Sequence, residues 1–211
     1  MTLERAELSL GWIRQRYAAA ARRREGVTDD GWARGAFEHA TPAAVLVPLV
    51  DRPTRPTVLL TRRTAHLHAH AGQISFPGGR SEPQDVDAVA TALRDTNEEI
   101  GIALDRLEVL GTMPEYYTGT GYCITPVLAI VSTPFELNPD RFEVDEVFEV
   151  PLDFLLNQAN HQRHSREYQG RLRHYFAMPY GDYFIWGATA GMLVNLYYLL
   201  YGNTAANVPL N

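Results

Sequence analysis

Residues 94–101, Arg-Asp-Thr-Asn-Glu-Glu-Ile-Gly, restrict the possible folds of this chain more than any other segment. Asp95, Glu98 and Glu99 stand at positions i, i+3 and i+4, so a helix through them carries all three carboxylates on one face. Carboxylates this close repel one another unless a cation lies between them, and Mg²⁺ prefers such oxygen ligands. Arg94 lies four positions before Glu98 and can pair with it. The segment predicts a helical metal site, and a solvated acidic helix face is the alternative.

Apolar periodicity predicts both strands and helices around this segment. Strands are expected at 43–50, 57–63, 107–113, 124–131 and 144–150, with a proline-containing turn at 51–56. Helices are expected at 3–24, 85–100 and 183–201, with a short helix or turn at 151–156. Gly101 is predicted to end the second helix. Residues 26–42 look like a polar connection, and residues 64–84 show no period, which is typical of a functional loop.

Composition excludes several classes of protein. The length of 211 residues fits one domain, and the net charge of −6 leaves no general electrostatic footprint for nucleic acid. All 19 basic residues are arginine, so neither a P-loop nor a Schiff-base lysine is present. An acidic protein can still hold anionic phosphates, but it needs a local arginine cluster or a metal to do so.

The cysteine content and the chain ends indicate a location. Cys123 is the single cysteine, which favours a reducing compartment and a packing role over a nucleophilic one. The N-terminal stretch carries charges throughout and has no signal-peptide core, and no apolar run is long enough to span a membrane. We expect a cytoplasmic protein that is not bound to a membrane.

The order of glycines, helix and acidic residues resembles the Nudix box. That pattern runs Gly, five residues, Glu, seven residues, Arg-Glu-x-x-Glu-Glu-x-Gly, and here it reads Gly79, five residues, Asp85, eight residues, Arg94. The inserted residue is shared by a branch that looks like the coenzyme A pyrophosphatases. Asp stands in place of Glu at positions 85 and 95.

A second signature of that branch lies upstream, in residues 59–79, LLTRRTAHLHAHAGQISFPGG. The resemblance extends over roughly residues 40 to 200, through 115–131, 143–156 and 174–193. His68 stands where the signature has Arg. Residues of this stretch that match the signature are Leu59, Leu60, Thr61, Arg63, Leu67, His70, Gly72, Phe76, Pro77, Gly78 and Gly79.

The resemblance implies an α/β (α+β) fold of the Nudix type, an α/β/α sandwich with a mixed sheet. Residues 1–40 would form an N-terminal helical extension that could pack on the body or against a second copy, and residues 41–211 the hydrolase domain. Mg²⁺ or Mn²⁺ is the implied cofactor, and a nucleotide-type small molecule is the implied partner. The metal ligands would be Gly79, Asp95, Glu98 and Glu99, the catalytic residues Arg94, Glu98, Glu99 and Glu146, and the substrate-binding residues Arg63, His68, His70 and Gly78.

Three functions stay open at this point. The first is hydrolysis of coenzyme A or its acyl forms to 3',5'-ADP and 4'-phosphopantetheine. The second is hydrolysis of ADP-ribose, NADH or a dinucleoside polyphosphate, and the third is nucleotide binding without catalysis. The general base is open among Glu98, Glu99 and Glu146. We expect the alternating His66, His68 and His70 to contact phosphate or pack the loop rather than bind zinc, and the aromatic tail to be core.

Overall fold

The computed structural model describes residues 8–20, 40–66, 71–168 and 170–202. The elements follow one another along the chain as α1 (Leu10–Ala20), β1 (Thr41–Val50), β2 (Thr57–Arg63), β3 (Ile74–Ser75), β4 (Gly78–Arg80), α2 (Ala88–Ile100), β5 (Leu107–Thr112), β6 (Tyr116–Tyr117), β7 (Tyr122–Val131), β8 (Val144–Pro151), α3 (Leu152–Leu155), β9 (Gln162–Tyr168), β10 (Arg171–Tyr180), β11 (Tyr183–Trp186) and α4 (Ala188–Tyr201). The five predicted strands and the short helix after residue 151 are therefore confirmed.

Strand β1 is the centre of a mixed sheet. It pairs in parallel with β7 along its whole length, and antiparallel with β2 on its other side. Strands β3 and β8 extend the sheet from β2, β5 and β6 pair with β7, and β4 pairs with β1. Eight residues of β1 in succession are buried, as expected for a strand that is covered on both faces.

Helices cover the two faces of this sheet. Ala44 and Leu46 of β1 pack in a cluster with Ala92 of α2, so α2 lies on one face. Val45 and Val47 point the other way and belong to the large cluster that contains the buried side chains of α1 and α4. The predicted sandwich of helices around a mixed sheet is confirmed.

A second, three-stranded sheet in the order β11, β10, β9 was not predicted. The predicted helix over 183–201 is wrong at its start, because Tyr183–Trp186 pairs with Ala177–Tyr180 as a strand. Gly187, with φ of 64°, separates this strand from α4. A short apolar run does not distinguish a buried strand from a helix by its period, and the chain turns at a glycine that tolerates positive φ.

Two other helices begin later than predicted. Helix α1 begins at Leu10, because the Ser9 hydroxyl accepts a hydrogen bond from the Trp12 amide and caps it. Helix α2 begins at Ala88, capped by Asp87, whose carboxylate accepts from the Ala90 amide at 2.8 Å. Residues 85 and 86 precede the helix. Gly101 ends α2 with φ of 73°, as predicted.

Some predictions fall outside the described residues. Residues 3–7 and 21–24 of the predicted first helix and the stretch 26–39 lie there, as do Leu67, His68 and His70. Within the described part of the chain, no helix combines the length and the apolar character needed to cross a membrane. Cys123 is a partly buried residue of β7.

Candidate active site

A glycine pair on β4 brings the backbone against β1 and α2. Gly78 pairs with Val45 and Gly79 with Ala44. A Cβ at Gly78 would lie 2.4 Å from the Ala44 carbonyl oxygen, and a Cβ at Gly79 would lie 2.9 Å from Oδ2 of Asp95. Because glycine has no Cβ, β4 can approach both neighbours, and the Asp95 carboxylate can lie against the glycine backbone.

Helix α2 places its three carboxylates in different surroundings. The side chain of Asp95 is 14% exposed and that of Glu98 is 62% exposed. Glu99 is partly buried behind the glycine pair, where its Oε2 accepts a hydrogen bond from the Gly78 amide at 3.3 Å. Across the part of the chain that the structure describes, no group of three or more His, Cys, Asp or Glu side chains stands ready to hold a metal ion. The carboxylates share a helix turn, but they do not converge on one point.

Arg94 connects the acidic residues around the start of α2. Its Nε and Nη2 donate to Oδ1 and Oδ2 of Asp85 at 3.0 and 2.9 Å. Its Nη1 donates to Asp95 at 2.5 Å and to Glu98 at 3.1 Å, so the predicted pair of Arg94 with Glu98 is confirmed. The hydrogen bond from Arg94 holds the pKa of Asp85 well below its usual range, and the same bond raises the pKa of Arg94.

Sequence reasoning gave Asp85 no role. Its side chain is only 5% exposed, and the Thr91 hydroxyl also donates to it at 2.9 Å. The available signal was its place at the first acidic position of the resembling pattern, nine residues before Arg94. The structure shows what that position does, which is to orient the guanidinium that contacts Asp95 and Glu98.

Asp95 and Glu99 are carboxyl groups that burial makes hard to ionise. Burial raises the pKa of Asp95 to about 6 and that of Glu99 to about 8. Oδ2 of Asp95 is buried and has no hydrogen-bond partner. Buried carboxylate oxygens of this kind are satisfied by a bound cation, so the residues present fit a hard divalent metal by donor chemistry and by an oxygen left to bind it.

A cleft of about 650 Å³ opens on the other side of the glycine pair. Four arginines line it, Arg63, Arg80, Arg166 and Arg173, and no Asp or Glu is found among the described lining residues. In a chain with a net charge of −6, this separation of charge favours an anionic ligand in the cleft. The rest of the wall is formed by Ala43, Val45, Gln73, Ile74, Ser75, Phe76, Gly78, Gly79, Thr118, Gly119, Thr120, Tyr122, Ile124, His174, Tyr175, Trp186, Gly187, Ala188, Thr189 and Met192.

The cleft and α2 meet at the glycine pair. Of the residues predicted to bind substrate, Arg63 and Gly78 line the cleft, and His68 and His70 lie outside the described residues. Gly79 is part of the same wall and also contacts Asp95. The arrangement therefore separates an arginine-lined chamber from an acidic helix by one glycine strand.

Arg63 lines this chamber and has one donor that is not used within the protein. Its side chain is 27% exposed and its Nη2 lies 4.0 Å from Glu143. Its Nε is buried and has no hydrogen-bond partner. A guanidinium with an unused donor in a cleft wall is well suited to bind a phosphate oxygen.

Glu146 lies apart from these groups. Its Oε1 accepts from the Tyr183 hydroxyl at 2.8 Å, and its Oε2 lies 3.0 Å from Nη2 of Arg62. The hydrogen bond to Glu146 raises the pKa of Tyr183. Glu146 does not belong to the described lining of the cleft. Its predicted role as a general base stays a prediction.

Several cleft residues were missed in the sequence. Arg166, Arg173 and Tyr175 belong to the unpredicted sheet, and Trp186 ends its third strand. The expectation that the aromatic tail is core holds for the tyrosines of α4, which pack partly buried against the large core cluster. It is wrong for Tyr175 and Trp186, which line the cleft. A weak signal was present, since arginines alternate with other residues along 171–175 as they do on a half-exposed strand.

Comparisons with known proteins show which family this chain is similar to. The NUDIX domain model matches residues 40–169. The chain is 40% identical over 154 residues to the uncharacterized Nudix hydrolase NudL of Escherichia coli (strain K12), covering 73% of this chain and 80% of that protein. It is 37% identical to NudL of Photorhabdus laumondii over the same length, covering 73% of this chain and 82% of that protein. A solved Nudix hydrolase from M. Smegmatis, RenU, shares 26% identity over 61% of this chain and 80% of that chain, with a TM-score of 0.47.

Proposed function

Since this chain belongs to the Nudix hydrolase family, we propose that it cleaves the pyrophosphate bond of coenzyme A or acyl-coenzyme A. The products would be 3',5'-ADP and 4'-phosphopantetheine or its acyl form. The coarser activity, hydrolysis of a pyrophosphate in a nucleoside-diphosphate substrate, follows from the family. The choice of coenzyme A rests on the likeness of residues 59–79 to the signature of one branch.

One observation carries the proposal. The cleft lined by four arginines meets the acidic helix α2 at the Gly78–Gly79 strand. A diphosphate bound along this strand has guanidinium groups on one side and the carboxylates of α2 behind the glycine backbone on the other. Pyrophosphate hydrolysis needs this combination, because the substrate must be held as an anion while its attacking water is activated.

The metal site is proposed on α2. Asp95 and Glu99 would hold Mg²⁺ or Mn²⁺, with Glu98 and the Gly79 carbonyl as further oxygen ligands. When bound, such a metal neutralises the diphosphate and lowers the pKa of its water. Asp85 and Arg94 are positioning residues in this proposal, since they hold Asp95 and Glu98 in place.

Arg63 would bind the diphosphate through its partly exposed guanidinium group, and Gly78 and Gly79 would allow the substrate to approach the backbone. The general base stays open among Glu98, Glu99 and Glu146. His68 and His70 belong to the proposed substrate site on the strength of the branch signature alone. A cytoplasmic location, the division at residue 40 and a homodimer are further parts of the proposal.

The test uses the full chain with Mg²⁺ or Mn²⁺ and four separate substrates: coenzyme A, acyl-coenzyme A, ADP-ribose and NADH. Products are identified by mass spectrometry. We expect 3',5'-ADP and phosphopantetheine from the coenzyme A substrates, at a kcat/KM well above that for the others. Cleavage of ADP-ribose or NADH alone would overturn the assignment of coenzyme A as the substrate but support pyrophosphate hydrolysis. Turnover of none of them by a folded protein would overturn the catalytic proposal.

Two variants make the test specific. Glu99→Gln removes a proposed metal ligand and should abolish metal-dependent turnover. Arg52→Gln changes an arginine that pairs with Glu149 outside the cleft, and its turnover should equal that of the wild type. Equal turnover of Glu99→Gln and wild type would remove Glu99 from the metal site.

A further inference from the structure

The three-stranded sheet presents an ordered row of side chains to the cleft. Arg166 of β9 is the direct cross-strand partner of Arg173 of β10, so the two side chains lie on the same face. Tyr175 follows Arg173 on that face two positions along β10, and Trp186 of β11 pairs with Ala177, the next residue in the row. All four of these side chains belong to residues that line the cleft. The wall therefore runs from two arginines to two aromatic rings.

The two arginines form a concentrated positive charge. Cross-strand partners have Cβ atoms about 5 Å apart, and like charges in this relationship destabilise a sheet. Both residues line the cleft, so an anion bound there can accept hydrogen bonds from both guanidinium groups.

The side chain of Arg173 extends toward the turn between β6 and β7. Its Nη1 lies 3.8 Å from the position that a Cβ on Gly119 would occupy, in the turn between β6 and β7. Thr118 and Thr120 of that turn also line the cleft. A phosphate monoester at this point could be bound by guanidinium groups from the hairpin and hydroxyl groups from the turn.

These arginines are separate from the groups proposed to hold the diphosphate. Arg63 ends β2 and the glycine pair forms β4, both in the large sheet, while Arg166 and Arg173 belong to the other sheet. The ring centroids of Tyr175 and Trp186 lie 5.4 Å apart, with the ring planes inclined at 67°. Both residues line the cleft beside the arginines, and the face of either ring suits packing against a nucleobase.

We infer that Arg166 and Arg173 form a second anion subsite, which binds a phosphate monoester on the nucleoside end of the substrate, away from the scissile diphosphate. The inference rests on the proposed function, because it assigns the part of the same cleft that selects the substrate. The enzyme would then favour nucleotides with a phosphate on the ribose in addition to the diphosphate.

The first test is a binding measurement that needs no turnover. Isothermal titration calorimetry compares 3',5'-ADP with 5'-AMP, which differ by one phosphate. We expect the wild type to bind 3',5'-ADP about tenfold or more tightly than 5'-AMP, as for a phosphate held by paired arginines. The double variant Arg166→Gln/Arg173→Gln should lose this difference by weakening 3',5'-ADP alone.

A matched control lies on the same hairpin. Arg163 of β9 points to the opposite face, where its guanidinium lies 5.0 Å from the Phe176 ring. Arg163→Gln should keep the preference for 3',5'-ADP. Equal affinity of the wild type for both nucleotides, or an equal loss of both in the double variant, would overturn the inference. If the double variant does not fold, the single variants are measured against the same expectation.

A kinetic test separates this inference from the proposed function. Coenzyme A and 3'-dephospho-coenzyme A differ only in the ribose phosphate, and the double variant should lower kcat/KM about tenfold for the first substrate and leave the second unchanged. If the wild type hydrolyses neither substrate but still prefers 3',5'-ADP, the proposed function fails and the subsite stands. If it hydrolyses both equally well, the subsite fails and the hydrolase stands.

Discussion

Arg94 forms a bidentate ion pair with Asp85, in which Nε donates to Oδ1 at 3.0 Å and Nη2 donates to Oδ2 at 2.9 Å. This bidentate fork leaves Nη1 to contact Asp95 and Glu98, two carboxylates of the proposed metal site. Because a guanidinium is planar, fixing two of its nitrogens also fixes the direction of the third. Asp85 therefore orients the Arg94 guanidinium toward Asp95 and Glu98, although Asp85 itself does not line the cleft and has no described contact with the glycine pair.

Asp85→Asn should reduce kcat about 10- to 100-fold, the usual effect of removing a partner that orients a metal ligand. KM should change little, because the arginines of the cleft are untouched. Asp85→Glu should recover part of the loss, since it restores the carboxylate. Asp87→Asn is the matched control, because asparagine also caps a helix and Asp87 takes no part in the fork. A kcat for Asp85→Asn equal to that of the control would contradict this role.

Glu99→Gln should stabilise the metal-free protein at alkaline pH. Burial raises the pKa of Glu99 from 4.5 to about 8, so between these values the unfolded chain releases a proton that the folded protein keeps. The contribution of Glu99 to the free energy of unfolding therefore falls as pH rises through that window. Glutamine resembles the protonated form and does not titrate, so in EDTA the variant should unfold at a higher temperature than the wild type at pH 8.5 and at an equal one near pH 4.

Glu98→Gln is the control for this measurement, because Glu98 is 62% exposed. It should show no alkaline gain. Addition of Mg²⁺ should raise the melting temperature of the wild type at pH 8.5 more than that of Glu99→Gln. Identical pH profiles of wild type and Glu99→Gln would show that the carboxyl group is not held in a desolvated position.

Below neutral pH, His161 should weaken the fold. Its Nε2 donates to the Leu155 carbonyl at 2.7 Å, and burial lowers its pKa from 6.5. The unfolded chain therefore takes up a proton near pH 6.5 that the folded protein does not, and this contribution to stability is lost as pH falls below 6.5. His161→Gln keeps a donor without titrating, so its free energy of unfolding in urea should drop less than that of wild type between pH 7 and 5. His66→Gln, at an exposed histidine, should follow the wild type.

Gly191→Ala should destabilise the protein by about 1–3 kcal/mol, the range for overpacking a core. A Cβ at Gly191 of α4 would lie 2.3 Å from the Tyr116 hydroxyl oxygen and 2.5 Å from the nearest atom of its ring, and Tyr116 is only 1% exposed. Gly11→Ala in α1 is the matched control, because its nearest atom would be 3.8 Å away and alanine favours a helix. Urea unfolding should show opposite signs for the two variants, and a neutral Gly191→Ala would mean that Tyr116 has room to shift.

The central elements were predictable because their signals are local. The buried run of β1, the proline turn after it and the glycine that ends α2 each lie within a few residues of the feature that they define. The Arg94–Glu98 pair is likewise fixed by helical spacing. The starts of α1 and α2 were missed because Ser9 and Asp87 act as caps inside stretches whose apolar spacing continues backwards.

The cleft was less predictable because it is formed by distant segments. Strands β9 and β10 carry many charged residues, and their pairing is set by register rather than by composition. Arg173 approaches Gly119 only through the packing of one sheet against the other. A single sequence contains no trace of that approach. The role of Asp85 also depends on the folded structure, because its separation of nine residues from Arg94 does not by itself specify a bidentate ion pair between the two side chains.

The ten-residue parallel pairing of β1 with β7 has a kinetic consequence. Thr41 pairs with Tyr122, and every later pair joins residues about 80 positions apart. Such contacts form only after a long loop of chain has closed, so they slow folding relative to a protein built from local hairpins. The glycine strand and α2 both lie within that loop. Helix α2 can therefore form early, but it reaches its final surroundings only when the two ends of the loop have come together. A nascent chain released before residue 131 would lack part of the sheet on which α2 packs.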